Sequence, residues 1–420
     1  MSEGFLVRQL IQLGLVGNAI RPVPGAWPSI PAFFAGWLTA ELAPHLFAST
    51  VVDTAVHFAR RGLRDENAKL GLVLAGLSTA GQVKLMLDAQ RAKSEVEQAL
   101  QETLGADYAQ GLEREPDAKD LATPWGQLVM PFRMRNREVV REPDIAYADG
   151  GGRYRLDIYH GREAQKGRPV LLQVHGGGWM IGHKAQQGVP LMQHMAERGW
   201  VCVAPNYPLS PKASWPEHIV ALKRAIAWVR QNIAAYGGDP SFVAVTGGSA
   251  GGHLAALLAL TGNDASWQPG FEDADTSVQA AVPHYGVYDF AGQSGTVAAL
   301  QRRDEFIDKW VMKTEWSQDP ALFLAASPIE RITPQAPPFF VIHGKLDTLV
   351  PVPEAREFVD RLRAVSNSPV AYAEISGAQH AFDVFPSIRS AHVVRGAERF
   401  LNWTYRKATA QEAPEPVGEG

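Results

Sequence analysis

The chain has 420 residues, 46% of them hydrophobic and 20% charged, with 40 Lys and Arg against 44 Asp and Glu for a net charge of −4. That profile excludes a largely disordered chain, and Gly 39 with Pro 29 in no repeating period excludes a collagen-like one. The balanced charge gives no electrostatic ground for a nucleic-acid partner, and the single cysteine, Cys202, excludes an intrachain disulfide or a CxxC metal site.

The opening segment MSEGFLVRQL carries an acid before its first base and lacks a long apolar run with a small-residue cleavage site. No cleavable signal peptide is expected, which places the protein in the cytoplasm or peripherally on a membrane. The uncharged stretch from Pro22 to Ala40 contains four prolines that break most of it as a helix. The run from Leu70 to Val83 is too short to cross a bilayer of about 30 Å. Phe33, Phe34, Trp37, Leu38, Leu42, Leu46 and Phe47 recur at helical spacing. Two readings stay open for that helix: packing on the rest of the protein, or lying in a membrane interface or gripping an acyl chain. Its acids, Glu41 and Asp53, argue against deep burial in lipid. Residues 84–104 form an amphipathic helix that stops at Gly105, and residues 105–125 are a polar connector with two prolines. Residues 1–125 are thus an N-terminal helical region and a membrane-interface candidate.

From about residue 137 the period changes. REVVREPDIAY and RYRLDIYH alternate around Asp149-Gly150-Gly151-Gly152 and predict a β-hairpin. PVLLQVH, WVCVAPNY, FVAVTGG, VQAAVPHYG, PFFVIHG and VAYAEI follow as apolar strands, separated by helical stretches such as 216–235 and 250–260. Buried strands alternating with helices imply an α/β fold, a mostly parallel central sheet with helices on both faces. Residues 289–326 interrupt that rhythm as a long, Trp-containing insertion within an α/β segment spanning 126–407. Residues 408–420 lack apolar content and are expected to be a disordered tail. No internal repeat is present.

Residues 246–252, TGGSAGG, contain G-x-S-x-G between strand FVAVT and helix HLAALLAL. A serine on such a sharp strand-to-helix turn exposes its hydroxyl, and the flanking glycines let strand and helix approach without Cβ clashes. The N-terminus of the following helix adds partial positive charge beside a developing anion. A serine hydroxyl needs a base, so an acid and then a histidine are sought downstream. Asp347 follows strand VIHG, and His380 follows strand VAYAEI, both at the strand ends where α/β sheets hold their ligands. The roles are Ser249 as nucleophile, His380 as general base and then acid, and Asp347 as the group orienting the imidazole. Asp383 and Asp289 are the competing acids. In His175-Gly176-Gly177-Gly178-Trp179, the N–H groups of Gly177 and Gly178 would join that of Ala250 in an oxyanion hole. His175 is expected to orient that loop by hydrogen bonding rather than to react. His253 and Cys202 are expected to be packed core. His183 and His194 lack a third ligand at metal spacing, so no metal or other cofactor is expected. Gly150-Gly151-Gly152 precedes no helix and is no phosphate loop.

HGGGW at 175–179, NYPLSPKASWP at 206–216, GGSAGG at 247–252 and HGKLDTLVP at 343–351 resemble the motifs of hormone-sensitive-lipase-like esterases in the α/β-hydrolase superfamily. Gly248 stands where that family usually carries an acid, and its D-P-L-x-D segment is absent. The resemblance covers about residues 137–406. HGG-x-W is also similar to kynurenine formamidases, and the long helical start to mycobacterial Lip-type carboxylesterases. The resemblance implies an α/β-hydrolase fold whose N-terminal helices and insertion cover the site. It implies a carboxylic-ester hydrolase working through an acyl-serine intermediate, acting on a small ester or lipid of short to medium acyl chain. Trp179, with the Trp310 and Trp316 region, would wall the acyl pocket. Activity would rise through about pH 6–7 as an imidazole base loses its proton. A formamidase or amidase with the same residues is the alternative, and a non-catalytic binding protein on the same fold is a further one.

Overall fold

The computed structural model describes residues 2–23, 29–163 and 165–412. The chain begins with five helices: α1 (Ser2–Ile20), α2 (Ser29–Glu41), α3 (Ala43–Arg61), α4 (Glu66–Gln90) and α5 (Ala92–Leu104). Asp65 caps α4 by accepting a hydrogen bond from the Ala68 amide, and Gly105 ends α5 at a φ of 98°. The helix expected at 84–104 is therefore the end of a longer rod. It starts 18 residues earlier (84 − 66), because the Leu- and Ala-rich run before it is also helix-forming. Arg91 keeps α-helical dihedrals between α4 and α5, and among the described residues this one rod, Glu66–Leu104, is long and apolar enough to cross a membrane. That corrects the expectation drawn from Leu70–Val83 alone.

A short helix α6 (Trp125–Leu128) precedes the sheet. All eight expected strands form: β1 (Val139–Ala146), β2 (Arg155–Gly161), β3 (Arg168–Val174), β4 (Val201–Pro205), β5 (Gly238–Gly248), β6 (Ala280–His284), β7 (Phe339–Gly344) and β8 (Val370–Ile375). Their order is β1-β2-β4-β3-β5-β6-β7-β8. The β1–β2 hairpin and the β2–β4 pair are antiparallel, and the remaining pairs are parallel. The helices that follow the hairpin are α7 (Val189–Glu197), α8 (Glu217–Asn232), α9 (Ala250–Leu260), α10 (Val297–Arg302), α11 (Pro320–Ala325), α12 (Val352–Val365) and α13 (Ile388–Glu412).

Two apolar clusters cover the faces of the sheet. One contains α8, α9 and α12; the other contains α7, α13 and, from the N-terminal region, Ala92, Val96, Ala99 and Leu100 of α5. Residues expected to belong to a separate unit ending at 125 thus already share the sheet's core from Ala92 onward. Residues 408–412, expected as tail, continue α13, since Ala, Gln and Glu extend a helix at little cost; residues 413–420 lie outside the described set.

Candidate active site

Strand β5 delivers the chain to Ser249 at φ 59° and ψ −124°, left-handed backbone that only a tight turn imposes on a serine. The turn needs its glycines. A Cβ on Gly247 would lie 2.5 Å from the Gly251 carbonyl oxygen, and one on Gly251 would lie 2.2 Å from that of Val174. The Ser249 amide donates to the His284 carbonyl at 3.0 Å, which ties the turn to the end of β6. Ala250 opens α9 and contributes the first amide of that helix.

The glycine loop lies directly against this turn. A Cβ on Gly176 would sit 2.4 Å from the Gly248 carbonyl and 3.2 Å from the Ser249 Cβ. Gly177 and Gly178 have φ of 115° and 59°, and their amides donate to no group among the described residues. The loop is held from both ends. The Gly176 amide donates to Gln187 Oε1 at 2.7 Å, and the His175 ring donates from Nδ1 to the Gly176 carbonyl at 2.8 Å. Tyr207 stacks on that ring and donates its hydroxyl to the His175 carbonyl at 2.8 Å. Burial pushes the His175 imidazole down to about 4, so it stays neutral. Downstream, buried Lys184 is clamped between Asp157 of β2 and Asp144. The loop's orientation is therefore built before any substrate arrives.

Asp347 and His380 meet as the motif spacing suggests. His380 Nδ1 is 2.6 Å from Asp347 Oδ2, and both side chains are almost fully buried. Asp347 Oδ1 accepts from the Leu349 and Val350 amides at 2.9 and 2.8 Å. Burial alone would raise the Asp347 carboxyl, but the charge and hydrogen bonds of His380 and His343 hold it well below the usual carboxylate range. Gln379 Oε1 accepts from the Thr348 and His380 amides, which locks the two loops together. The Ser249 hydroxyl makes no hydrogen bond to His380 among the described residues. The two are linked through Tyr285, whose ring is 4.7 Å from that of His380 and fills the space a Cβ on Gly248 would need.

The competing acids are engaged elsewhere. Asp289 accepts from the Gln293 and Ser294 amides. Asp383 accepts from the Tyr285 hydroxyl and lies 2.7 Å from His284 Nδ1. Burial would raise its carboxyl, and the neighbouring His284 ring with the Tyr285 bond keeps it below its ordinary value. So a ring fills the position of the family's missing acid, backed by a carboxylate from a distant loop.

Trp179, expected to wall an acyl pocket, packs into the core of the sheet. It is buried, its indole N–H donates to His253 Nδ1 at 3.2 Å, and it packs edge-on against Phe290. Its φ of 60° turns the side chain inward, behind the glycine loop. His253 is indeed core: it stacks on Phe290, donates to the Ala326 carbonyl, and burial pushes it down to about 3. Cys202 is fully buried in β4. Trp316 packs on Phe323 and under Arg303, and Trp310 is largely exposed. The insertion instead brings Phe306 to within 3.4 Å of where a Gly178 side chain would start.

The N-terminal helices reach the site too. Phe33 of α2 packs edge-on against the His380 ring with centroids 5.9 Å apart. Trp37 stacks on Phe33 and contacts Phe385, which contacts Phe132. At the end of α2, buried Glu41 pairs with Arg389 at 2.8 Å and accepts from Ser387 at 2.6 Å. Arg389 in turn donates to the Ser376 carbonyl, and Glu95 of α5 accepts from the Ser376 amide. The His380 loop is thus gripped on both sides by residues 41 and 95.

This sheet order, the strained serine turn and the buried acid–histidine pair define an α/β-hydrolase fold. The chain belongs to the α/β-hydrolase esterase family of the hormone-sensitive-lipase type. It is 42% identical over 422 residues to a probable carboxylic ester hydrolase, LipM, of Mycobacterium tuberculosis, covering 99% of this chain and 96% of that one. It is 41% identical to Esterase LipQ of the same organism, covering 90% and 86%. The BD-FAE family matches residues 156–362. Among solved structures, Thermogutta terrifontis esterase 2 superposes with a TM-score of 0.51 at 23% identity, covering 67% of this chain and 98% of that one, a likeness of fold.

Proposed function

We propose that the protein hydrolyses carboxylic esters through a covalent acyl-serine intermediate on Ser249. His380 takes the serine proton and returns it to the leaving alcohol, while ionised Asp347 fixes the imidazole with its free nitrogen toward the serine. The amides of Gly177, Gly178 and Ala250 bind the oxyanion of the tetrahedral intermediate. The observation that carries this reading is the 2.6 Å Asp347–His380 pair on the same sheet edge as the strained Ser249 turn and two unengaged glycine amides. Phe33, Trp37 and Phe385 supply an apolar wall beside His380 for a short to medium acyl chain. The test is turnover of a p-nitrophenyl ester ladder by wild type and Ser249→Ala, with N-formylkynurenine in parallel. Loss of the nucleophile should lower kcat on the order of 10⁴–10⁶-fold. Turnover of the formamide alone would make the enzyme an amidase, and equal rates for both proteins would leave only a binding role.

A further inference from the structure

The N-terminal helices are built inside out. On α4 the inward positions are small or polar but for one: Ala68, Gly71, Ala75, Ser78, Gln82 and Ala89, with Leu85 the single large apolar residue among them. Its outward positions are large and apolar: Leu70, Val73, Leu77 and Leu87, with Leu77 54% exposed. Helix α3 repeats the pattern. On α3, Thr50 and His57 face inward while Val51, Val52, Val56 and Phe58 face out; α1 is mixed, burying Phe5 and Val16 with Gln9 while leaving Val7, Leu10 and Ile11 exposed. Gln82 donates to Thr50 across the α3–α4 contact, and Gly71 and Gly81 let Phe5 and Val16 of α1 press against α4. A helix surrounded by water puts its large apolar residues inward, whereas small and polar residues inward with large ones outward is the packing of helices in lipid. The acids that argued against lipid do not face it: Glu41 is buried on Arg389, and Asp53 is held by Arg8 and Gln9.

Charge sits at the edge of this surface. Exposed Trp125, Val129, Met130 and Phe132 run straight into Arg133, Arg135 and Arg137, which are exposed and make no ion pair among the described residues. These arginines line a groove of about 760 Å³ with Arg198 and Arg395, which has Glu197 as its acidic residue. His45 of α3 bonds to the Val129 carbonyl, and Phe132 touches Phe385 beside the His380 loop, so the two surfaces adjoin at the site.

We infer that the outward apolar faces of α1–α4 and the 125–137 segment seat the enzyme in the surface of an anionic phospholipid bilayer. The helices lie in the interface with the arginines on the phosphates, and α4 does not span, because its inner face is taken by α1 and α3 and its continuation α5 is fixed in the sheet's core. Membrane docking would present the His380 side of the site to lipid-dissolved esters.

The test is flotation of the full-length chain with vesicles of phosphatidylcholine alone or mixed with phosphatidylglycerol, at low and high salt. Wild type should float with the anionic vesicles and less with the neutral ones. Arg133→Gln/Arg135→Gln/Arg137→Gln should lose on the order of 10²-fold of the anionic preference, at about fivefold per arginine, and keep neutral binding. Val73→Asp/Leu77→Asp should lose at least tenfold on both vesicles while hydrolysing a soluble short ester at the wild-type rate, which shows that it folds. Wild type that stays at the bottom of the gradient with every vesicle overturns the proposal. So does flotation that neither variant changes. A dimer in sedimentation equilibrium that Val73→Asp/Leu77→Asp splits, with no flotation, would assign the face to a second copy instead.

Discussion

Replacing Glu41 by leucine tests how firmly α2 is built into the site. The carboxylate accepts from Arg389 at 2.8 Å and from Ser387 at 2.6 Å, and both donors are buried. A hydrogen bond to a charged group contributes about 1.5–3 kcal/mol and a neutral one about 1 kcal/mol. Their loss comes to about 2.5–4 kcal/mol, overlapping the range of about 3–5 kcal/mol for stranding one partner of a buried ion pair. Burial pushes the Glu41 carboxyl above its ordinary value despite Arg389, so desolvation outweighs the attraction. Replacing both partners by apolar side chains should therefore recover most of the loss. Urea unfolding of wild type, Glu41→Leu, Arg389→Met and the double variant measures this directly. Glu41→Leu should be the weaker by the stated amount, and Glu41→Leu/Arg389→Met should return to within about 1–2 kcal/mol of wild type. A single variant as stable as wild type, or a double variant no better than the worse single one, would refute the reasoning.

Two further perturbations address the site itself. In Gly177→Ala the new Cβ would fall 2.2 Å from the Ile181 carbonyl at a φ of 115°, so the loop must shift and turn its amides away. Steady-state kinetics should show kcat down about 10²–10³-fold with KM little changed, and an unaltered kcat would remove the loop from the oxyanion role. Tyr285→Phe deletes a donor to Asp383, whose carboxyl is held below its ordinary value. A depressed carboxyl contributes stability above its unfolded value of about 3.9, and that contribution is lost as pH falls through the lower folded value. The variant should lose about 1.5–3 kcal/mol at neutral pH and unfold at a higher pH on acidification, followed by circular dichroism. An acid midpoint equal to or below that of wild type would count against the Tyr285–Asp383 link.

Strands were legible because each is a short apolar run buried on both faces, from PVLLQV to VAYAEI. Asp347 and His380 were legible because the topology fixes their order and sets both just past strand ends. What escaped depends on facing. The spacing of Phe33 and Trp37 marks a helix but not that Phe33 meets His380. The aromatic after the glycines, Trp179, reads as a pocket wall, and its burial beside Phe290 and His253 is not visible in the motif. The Tyr285–Asp383 contact joins residues 98 apart in sequence and leaves no local signature. Glu41 reads as a solvent-facing acid on an apolar helix, and only the fold brings Arg389 to it.

The grip of Glu41 and Glu95 on the His380 loop bears on how this gene can be cut. The family match begins at residue 156, which invites expression of the sheet region alone. Such a fragment would lose the partners of Ser376, Ser387 and Arg389 and would bare the apolar surface that Ala92, Val96 and Leu100 now cover. Keeping these contacts requires the chain from α2 onward, and a recombinant fusion should join ahead of the first helices rather than at the sheet.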